Sequence, residues 1–150
     1  MKLKIVFILV LLSSVCFAQD EKHTAVDYAG SIIEIPEGYT STTKKDISGN
    51  KFRASWFSLP DMGDNDDMSE QLISEFESQL PLTEAKEITF ISSGSEFTGK
   101  QYVLDNRSYI ILGCGIINNQ FVFLNVSFIK EPKTNDDLDE LMKKFIVFKE

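Results

Sequence analysis

The sequence predicts an α+β fold in which two helices cover the two faces of one antiparallel sheet. Three observations lead to this expectation. The predicted elements follow the order β-β-α-β-β-β-β-α. Each helix has a single apolar stripe that must be buried. The last two strands are apolar on both sides, so each face of the sheet needs a cover.

The first 18 residues have the pattern of a secretory signal peptide. Lys2 and Lys4 precede the apolar run Ile5 to Leu12, and small residues lead to a cleavage position after Ala18. The run is too short to span a bilayer, which takes about 20 residues. We therefore expect a secreted or periplasmic protein with no membrane insertion after signal removal.

An uncleaved anchor is one alternative to this location, which the same length argument disfavours. A bacterial lipid anchor at Cys16 is another. A lipobox has a small residue directly before the cysteine and a Leu-like residue three positions before it. This chain has Val15 and Ser13 there, so whether Cys16 is lipidated stays open.

The charge of the mature chain argues against polyanionic partners. Cleavage removes two of the 15 Lys and Arg and none of the 23 Asp and Glu, so the formal charge of −8 becomes −10. Nucleic acids and anionic membranes attract clustered cations, which are missing here. One cysteine, Cys114, is left, so the mature chain can form no internal disulfide and must depend on its core.

Residues 19–26 are polar and are expected to form a flexible tail. Residues 27–150 are expected to form one domain. Its first strands are predicted at Ser31 to Pro36 and Lys51 to Leu59, with a polar connection over Glu37 to Asn50 between them.

The first helix is predicted to follow the acidic loop Pro60 to Asp67. Asp67 is the expected N-cap, Glu70 completes a capping box, and Pro81 stops the helix. Its apolar stripe repeats at helical spacing and consists of Met68, Leu72, Ile73, Phe76 and Leu80.

Four strands are predicted next, at Lys86 to Ser92, Phe97 to Leu104, Tyr109 to Ile117 and Phe121 to Ile129. Asn118 and Asn119 between the last two suit the positive φ angles of a type I′ turn. A two-residue loop sets the register of this hairpin, with the opposing pairs Ile117–Gln120, Gly113–Leu124, Gly115–Val122 and Cys114–Phe123.

A second helix is predicted at the C-terminus. Asn135 is the expected N-cap, acidic residues follow it, and Lys143 and Lys144 lie near the end, which complements the helix dipole. The apolar stripe is Leu138, Leu141, Met142, Phe145 and Ile146.

Three segments carry a likeness to a known family. They are Pro36-Glu37-Gly38-Tyr39, Phe97-Thr98-Gly99-Lys100-Gln101-Tyr102, and the C-terminal segment Asp136 to Phe148. In order and spacing, residues 28 to 150 resemble the PsbP-like fold family. The resemblance implies a three-layer α/β/α sandwich and a binding or assembly role. The family has no shared catalytic residues to carry over.

Few residues are available for catalysis or metal binding. The single histidine, His23, lies in the predicted tail, where a catalytic site could not be held in place. One Cys and one His are too few for zinc. Cys114 lies mid-strand and is expected to be a buried structural residue. No catalytic residue, cofactor or metal is therefore expected.

An acidic cluster precedes the first helix, formed by Asp61, Asp64, Asp66, Asp67 and Glu70. A calcium loop is one interpretation, but Met68 and Ser69 occupy positions where the EF-hand needs an acid or Asn and then glycine. A solvated loop that caps the helix is the other interpretation, and the one we favour.

The candidate partner-binding residues are Trp56, Asp61, Asp64, Asp66 and Asp67, with core packing as the alternative for Trp56. We expect a non-enzymatic module that binds or helps to assemble another extracytoplasmic protein. The alternative function is carriage of a small apolar ligand, because Gly113 and Gly115 could leave a cavity in the sheet core.

Overall fold

The computed structural model describes residues 23–60, 66–80, 82–104 and 108–149. The predicted signal peptide and Cys16 lie outside these ranges. Strands account for most of the described chain: β1 (Ala25–Tyr28), β2 (Ser31–Glu34), β3 (Tyr39–Thr40), β4 (Asp46–Gly49), β5 (Phe52–Pro60), β6 (Leu82–Ser92), β7 (Ser95–Leu104), β8 (Tyr109–Ile117), β9 (Gln120–Phe128) and β10 (Val147–Phe148). The helical elements are α1 (Asp66–Glu77), α2 (Met142–Phe145) and a 3₁₀ turn, Asn135–Asp137.

Eight strands form one antiparallel sheet in the order β10-β6-β7-β8-β9-β5-β4-β3, and β1 and β2 form a separate hairpin. Strands β6 to β9 follow one another as a meander. Strand β5 then pairs with β9, from Phe52 opposite Phe128 to Pro60 opposite Gln120. The centre of the sheet is thus made of two segments that are far apart in the sequence.

The predicted three-layer α/β/α sandwich is wrong. Among the described helices, only α1 is long enough to cover a sheet face, and its Ile73 belongs to the same buried cluster as Cys114 and Phe123. The other face is covered by the β1–β2 hairpin and by the C-terminal segment, whose helix α2 has four residues. Both faces are covered, but one cover combines a strand hairpin with a C-terminal segment that has only a short helix.

The predicted C-terminal helix is interrupted because its polar side chains bind nearby backbone groups instead. Thr134, not Asn135, caps the 3₁₀ turn, and Leu138 is extended with φ −98° and ψ 130°. Asp139 Oδ1 then accepts a hydrogen bond of 2.8 Å from Met142 N, at the start of α2. Val147 and Phe148 leave the helix and pair with β6.

The predicted β8–β9 hairpin is confirmed. Asn118 and Asn119 have φ angles of 49° and 60°. Ile117 lies opposite Gln120, and Cys114 lies opposite Phe123, as expected from a two-residue loop. Both faces of this hairpin are buried, one in each of two hydrophobic clusters.

Smaller differences concern element ends. Strand β1 begins at Ala25, within the segment assigned to the tail, and β3 and β4 occupy parts of the predicted polar connection. Helix α1 begins at Asp66, so Asp67 lies inside the helix and is not its N-cap. Strand β1 pairs with β2, and β3 pairs with β4, so their partners are close in sequence. Strands of two to four residues are too short for an alternating pattern to be recognised.

Asp46 organises the connection before β4. Its carboxylate accepts hydrogen bonds from the backbone N of Thr42 and Thr43 and from both threonine hydroxyls, the hydroxyl bonds being 3.0 and 2.7 Å long. Burial alone would raise the pKa of Asp46, but these four donors outweigh it and lower the pKa below its ordinary value. The carboxylate is therefore a structural anion.

We expect Asp46→Asn to lower the free energy of unfolding by about 2 kcal/mol at pH 7, because a charged acceptor is lost. A folded pKa below the unfolded one stabilises the protein above the unfolded pKa, about 3.9, and this contribution is lost as pH falls through the folded pKa. Urea unfolding of both proteins from pH 7 to pH 2.5 measures this. A difference between them that stays constant with pH would contradict the assignment.

Candidate functional site

Helix α1 leaves part of its sheet face uncovered. The helix packs over β8 and its neighbours, while the outer strands β6 and β7 extend beyond it. The result is an open groove of about 690 Å³, which we call the α1–β6 groove. Its polar lining comes from the helix and from the sheet, and comprises Asp66, Ser69, Glu70, Ser74, Glu77, Glu87, Thr89, Thr98 and Lys100.

The strand pleat explains which sheet residues line the groove. Glu87 lies opposite Lys100, and Thr89 lies opposite Thr98, in the β6–β7 register. Side chains alternate between faces along a strand, so these residues share the α1 side. Ile88, between Glu87 and Thr89, packs against the other hydrophobic cluster. A polar floor on one face is thus compatible with a core on the other.

One carboxylate of the groove is paired. Glu77 Oε1 lies 3.0 Å from Lys100 Nζ and accepts a 2.8 Å hydrogen bond from the buried Tyr102 hydroxyl. The bond from Lys100 lowers the pKa of Glu77, burial opposes this, and Tyr102 adds to the lowering. Burial, followed by the bond to Glu77, raises the pKa of Tyr102. Glu77 therefore stays ionised and neutralises Lys100.

The other three carboxylates leave the groove negative. Asp66, Glu70 and Glu87 are exposed and form no ion pair or hydrogen bond with any described residue. Lys100 is the only cation among the described residues of the lining, and it already faces Glu77. The groove therefore has an excess of negative charge available to a cationic ligand.

The structure separates the residues that the sequence grouped as partner-binding. Trp56 is 5% exposed and lies on the opposite face, where its Nε1 donates to Asp27 O over 2.9 Å. Asp66 and Asp67 are exposed on the first turn of α1, and only Asp66 lines the groove. Asp61 and Asp64 lie outside the described residues.

Sequence reasoning missed Glu77, Glu87 and Lys100. The alternation of polar and apolar residues through Glu87, Ile88 and Thr89 indicates a half-exposed strand. The pairing that places Lys100 beside Glu87 is set by the β6–β7 turn. Nothing local in the sequence shows that α1 would stop short of these strands.

The glycines behind the carrier hypothesis provide no cavity. A Cβ atom on Gly113 would lie 2.6 Å from Phe90 Cζ, and one on Gly115 would lie 2.3 Å from Phe97 Cδ1. Both phenylalanines are fully buried. The space beside each glycine is therefore occupied by an aromatic ring of the chain itself.

Cys114 lies in the core, and His23 lies near the start of the described residues. Cys114 is 4% exposed, which confirms its predicted burial, and burial raises the pKa of its thiol to about 11 against a smaller lowering by Ser69. His23 lies two residues before the first residue of β1, Ala25. In the described part of the chain, no three His, Cys, Asp or Glu side chains are grouped to hold a metal ion.

No protein-family model matches this chain, and no curated protein matches it. The resemblance to the PsbP-like fold family therefore stays a prediction. The three-layer sandwich that it implied is not the architecture of this chain. Among the residues described here, no helix has the length and hydropathy needed to cross a membrane.

Proposed function

We propose that the mature chain is a secreted or periplasmic, non-enzymatic module that binds another extracytoplasmic protein through the α1–β6 groove. The observation that carries this proposal is the uncovered strip of sheet beside α1, where Asp66, Glu70 and Glu87 have no partner among the described residues. The signal-peptide pattern at residues 1–18 supports the location.

The shape and chemistry of the groove favour a protein over a small apolar ligand. Ligand pockets for small molecules are mostly apolar and enclose their ligand. The α1–β6 groove is open and has charged walls, and the glycine positions in the core are filled by Phe90 and Phe97. A polar, elongated surface fits a segment of a cationic partner.

The test uses residues 19–150 as bait in extract from the compartment to which the protein is exported. We expect one polypeptide to be retained by the wild-type chain and to be retained at least fivefold less by Glu70→Gln/Glu87→Gln, because two of the three unpaired charges are removed. Quantitative mass spectrometry of the eluates measures retention, and thermal melts confirm that each bait is folded.

The matched control is Glu75→Gln/Asp136→Asn, which removes the same charge from exposed positions outside the groove. Its retention should equal that of the wild type. Two results would overturn the proposal: no polypeptide above background with any bait, or equal loss with both variants, which would indicate a general charge effect.

A further inference from the structure

We infer that the partner segment binds as an added strand along the outer edge of β6, with Lys or Arg at alternate positions directed into the α1–β6 groove. This inference rests on the proposed function and specifies its partner: an extended, basic polypeptide segment. It joins two features of the same strand, an unpaired backbone edge and an acidic side-chain face.

Most of the outer edge of β6 has no strand beside it in the described part of the chain. Ser93 and Gly94 form a two-residue turn with φ angles of 48° and 82°, so Ser92 and Ser95 are the closing hydrogen-bonded pair. Every second residue before Ser92 then bonds to β7, and the intervening residues face outward. Ala85, Glu87 and Thr89 therefore direct their N–H and C=O groups away from β7.

Among the described strands, only β10 lies beside this edge, and it is short. It pairs with Phe90 and Ile91 and ends at Phe148. No described strand pairs with the outward groups from Ala85 to Thr89. Such a row of backbone donors and acceptors is the template used when a peptide adds a strand to a sheet.

The two edges of the sheet differ in a way that favours β6. The opposite edge, β3, has only two residues. It is also joined to the C-terminal segment, because the Tyr39 hydroxyl donates to Asp139 Oδ2 over 2.5 Å. Strand β6 has 11 residues. The charged side chains of Lys86 and Glu87 on β6 disfavour pairing with apolar strands. The charge of an added strand therefore decides whether it can bind.

The outward-facing residues also set the chemistry of the partner. Glu87 and Thr89 direct their side chains to the α1 side, which is the floor of the groove. A strand added about 4.8 Å away would place every second side chain beside them. Glu70 and Asp66 on the helix wall face the same space. Cations at alternate positions of the partner would thus meet three unpaired carboxylates.

The experiment uses synthetic eight-residue peptides and the folded mature chain. The probe alternates Lys and Val; the charge control alternates Glu and Val; the backbone control is the Lys–Val peptide N-methylated at every second residue, made in both phases. We expect calorimetry to show binding of the probe, at least tenfold weaker binding of the Glu peptide, and at least tenfold weaker binding of one N-methylated phase.

Protein variants locate the contact. Glu87→Pro removes an outward N–H without removing a β6–β7 bond and should weaken probe binding at least tenfold. Ile32→Pro is the matched control, because Ile32 lies in β2 of the β1–β2 hairpin and is 71% exposed. Hydrogen exchange on the wild-type chain gives a test that does not depend on whether the variants fold. The probe should slow exchange of the Glu87 and Thr89 amides.

Each remaining outcome separates the inference from the proposed function. Equal binding of both N-methylated phases, or no protection of Glu87 and Thr89, overturns strand addition. If strand addition is overturned but the native partner is still lost with Glu70→Gln/Glu87→Gln, the proposed function stands and only the strand-addition inference fails. If no Lys–Val probe binds and no native partner is retained, both fail.

Discussion

Replacing Gly99 by alanine should lower the free energy of unfolding by at least about 3 kcal/mol. A Cβ atom there would lie 1.8 Å from Leu112 O and 2.6 Å from Gly113 Cα, both backbone atoms of β8. Backbone cannot rotate away as a side chain can, so β7 and β8 would have to separate in the middle of the sheet. Urea unfolding followed by circular dichroism measures the loss.

Thr98→Val is the control for Gly99→Ala. Thr98 is the adjacent residue, and its exposed side chain points to the α1 side. This replacement keeps a β-branched side chain and should change stability by no more than about 0.5 kcal/mol. A Gly99→Ala protein as stable as Thr98→Val would show that the strands do not approach this closely.

Phe145→Ala should cost about 4 kcal/mol of folding free energy, because a fully buried ring is removed from the cover formed by the β1–β2 hairpin and the C-terminal segment. The Phe145 ring centroid lies 4.9 Å from that of Tyr28 and 5.2 Å from that of Trp56. It therefore joins α2, the β1–β2 hairpin and β5. Thermal and urea unfolding at pH 7 measure the effect.

Ile129→Ala is the control for Phe145→Ala. It tests whether truncating any large apolar residue near the sheet lowers the free energy of unfolding as much. Ile129 is 64% exposed, so its truncation should be nearly neutral. A cost below about 1 kcal/mol for Phe145→Ala would mean that the β1–β2 hairpin and the C-terminal segment can close over the cavity, and that α2 contributes little to this face.

The β8–β9 hairpin could be predicted in detail because its information is local. Two consecutive asparagines set the turn, and the turn sets the register of every pair. The apolar character of both faces also predicted burial on both sides. None of these inferences required knowledge of a distant segment.

The C-terminal helix could not be predicted correctly because its stripe fits two structures. Leu138, Leu141 and Phe145 are buried, as a helix would require. The same burial is reached by a 3₁₀ turn, an extended residue and a short helix, since Thr134 and Asp139 provide competing caps. The β-branched Val147 then finds a partner in β6, far away in the sequence.

The candidate site was predicted only in part for a related reason. The acidic loop drew attention to Asp66, but Glu77 and Glu87 join it through α1 and the sheet edge. Trp56 is close to the acids in sequence, but the pleat of β5 turns its side chain to the other face of the sheet. Proximity in sequence across a strand is a poor guide to a shared surface.

The pairing of β5 with β9 has a consequence for how the chain folds. The meander from β6 to β9 can form from near neighbours, but β5 must then return across the whole of α1 and three strands to reach Phe121 and Phe128. Closing so long a loop carries an entropic penalty before any contact compensates for it. Strand β9 would meanwhile present an apolar, unsatisfied edge. The slow step of folding should therefore be the docking of β5. Variants that weaken this docking should aggregate during folding even when their folded state is still stable.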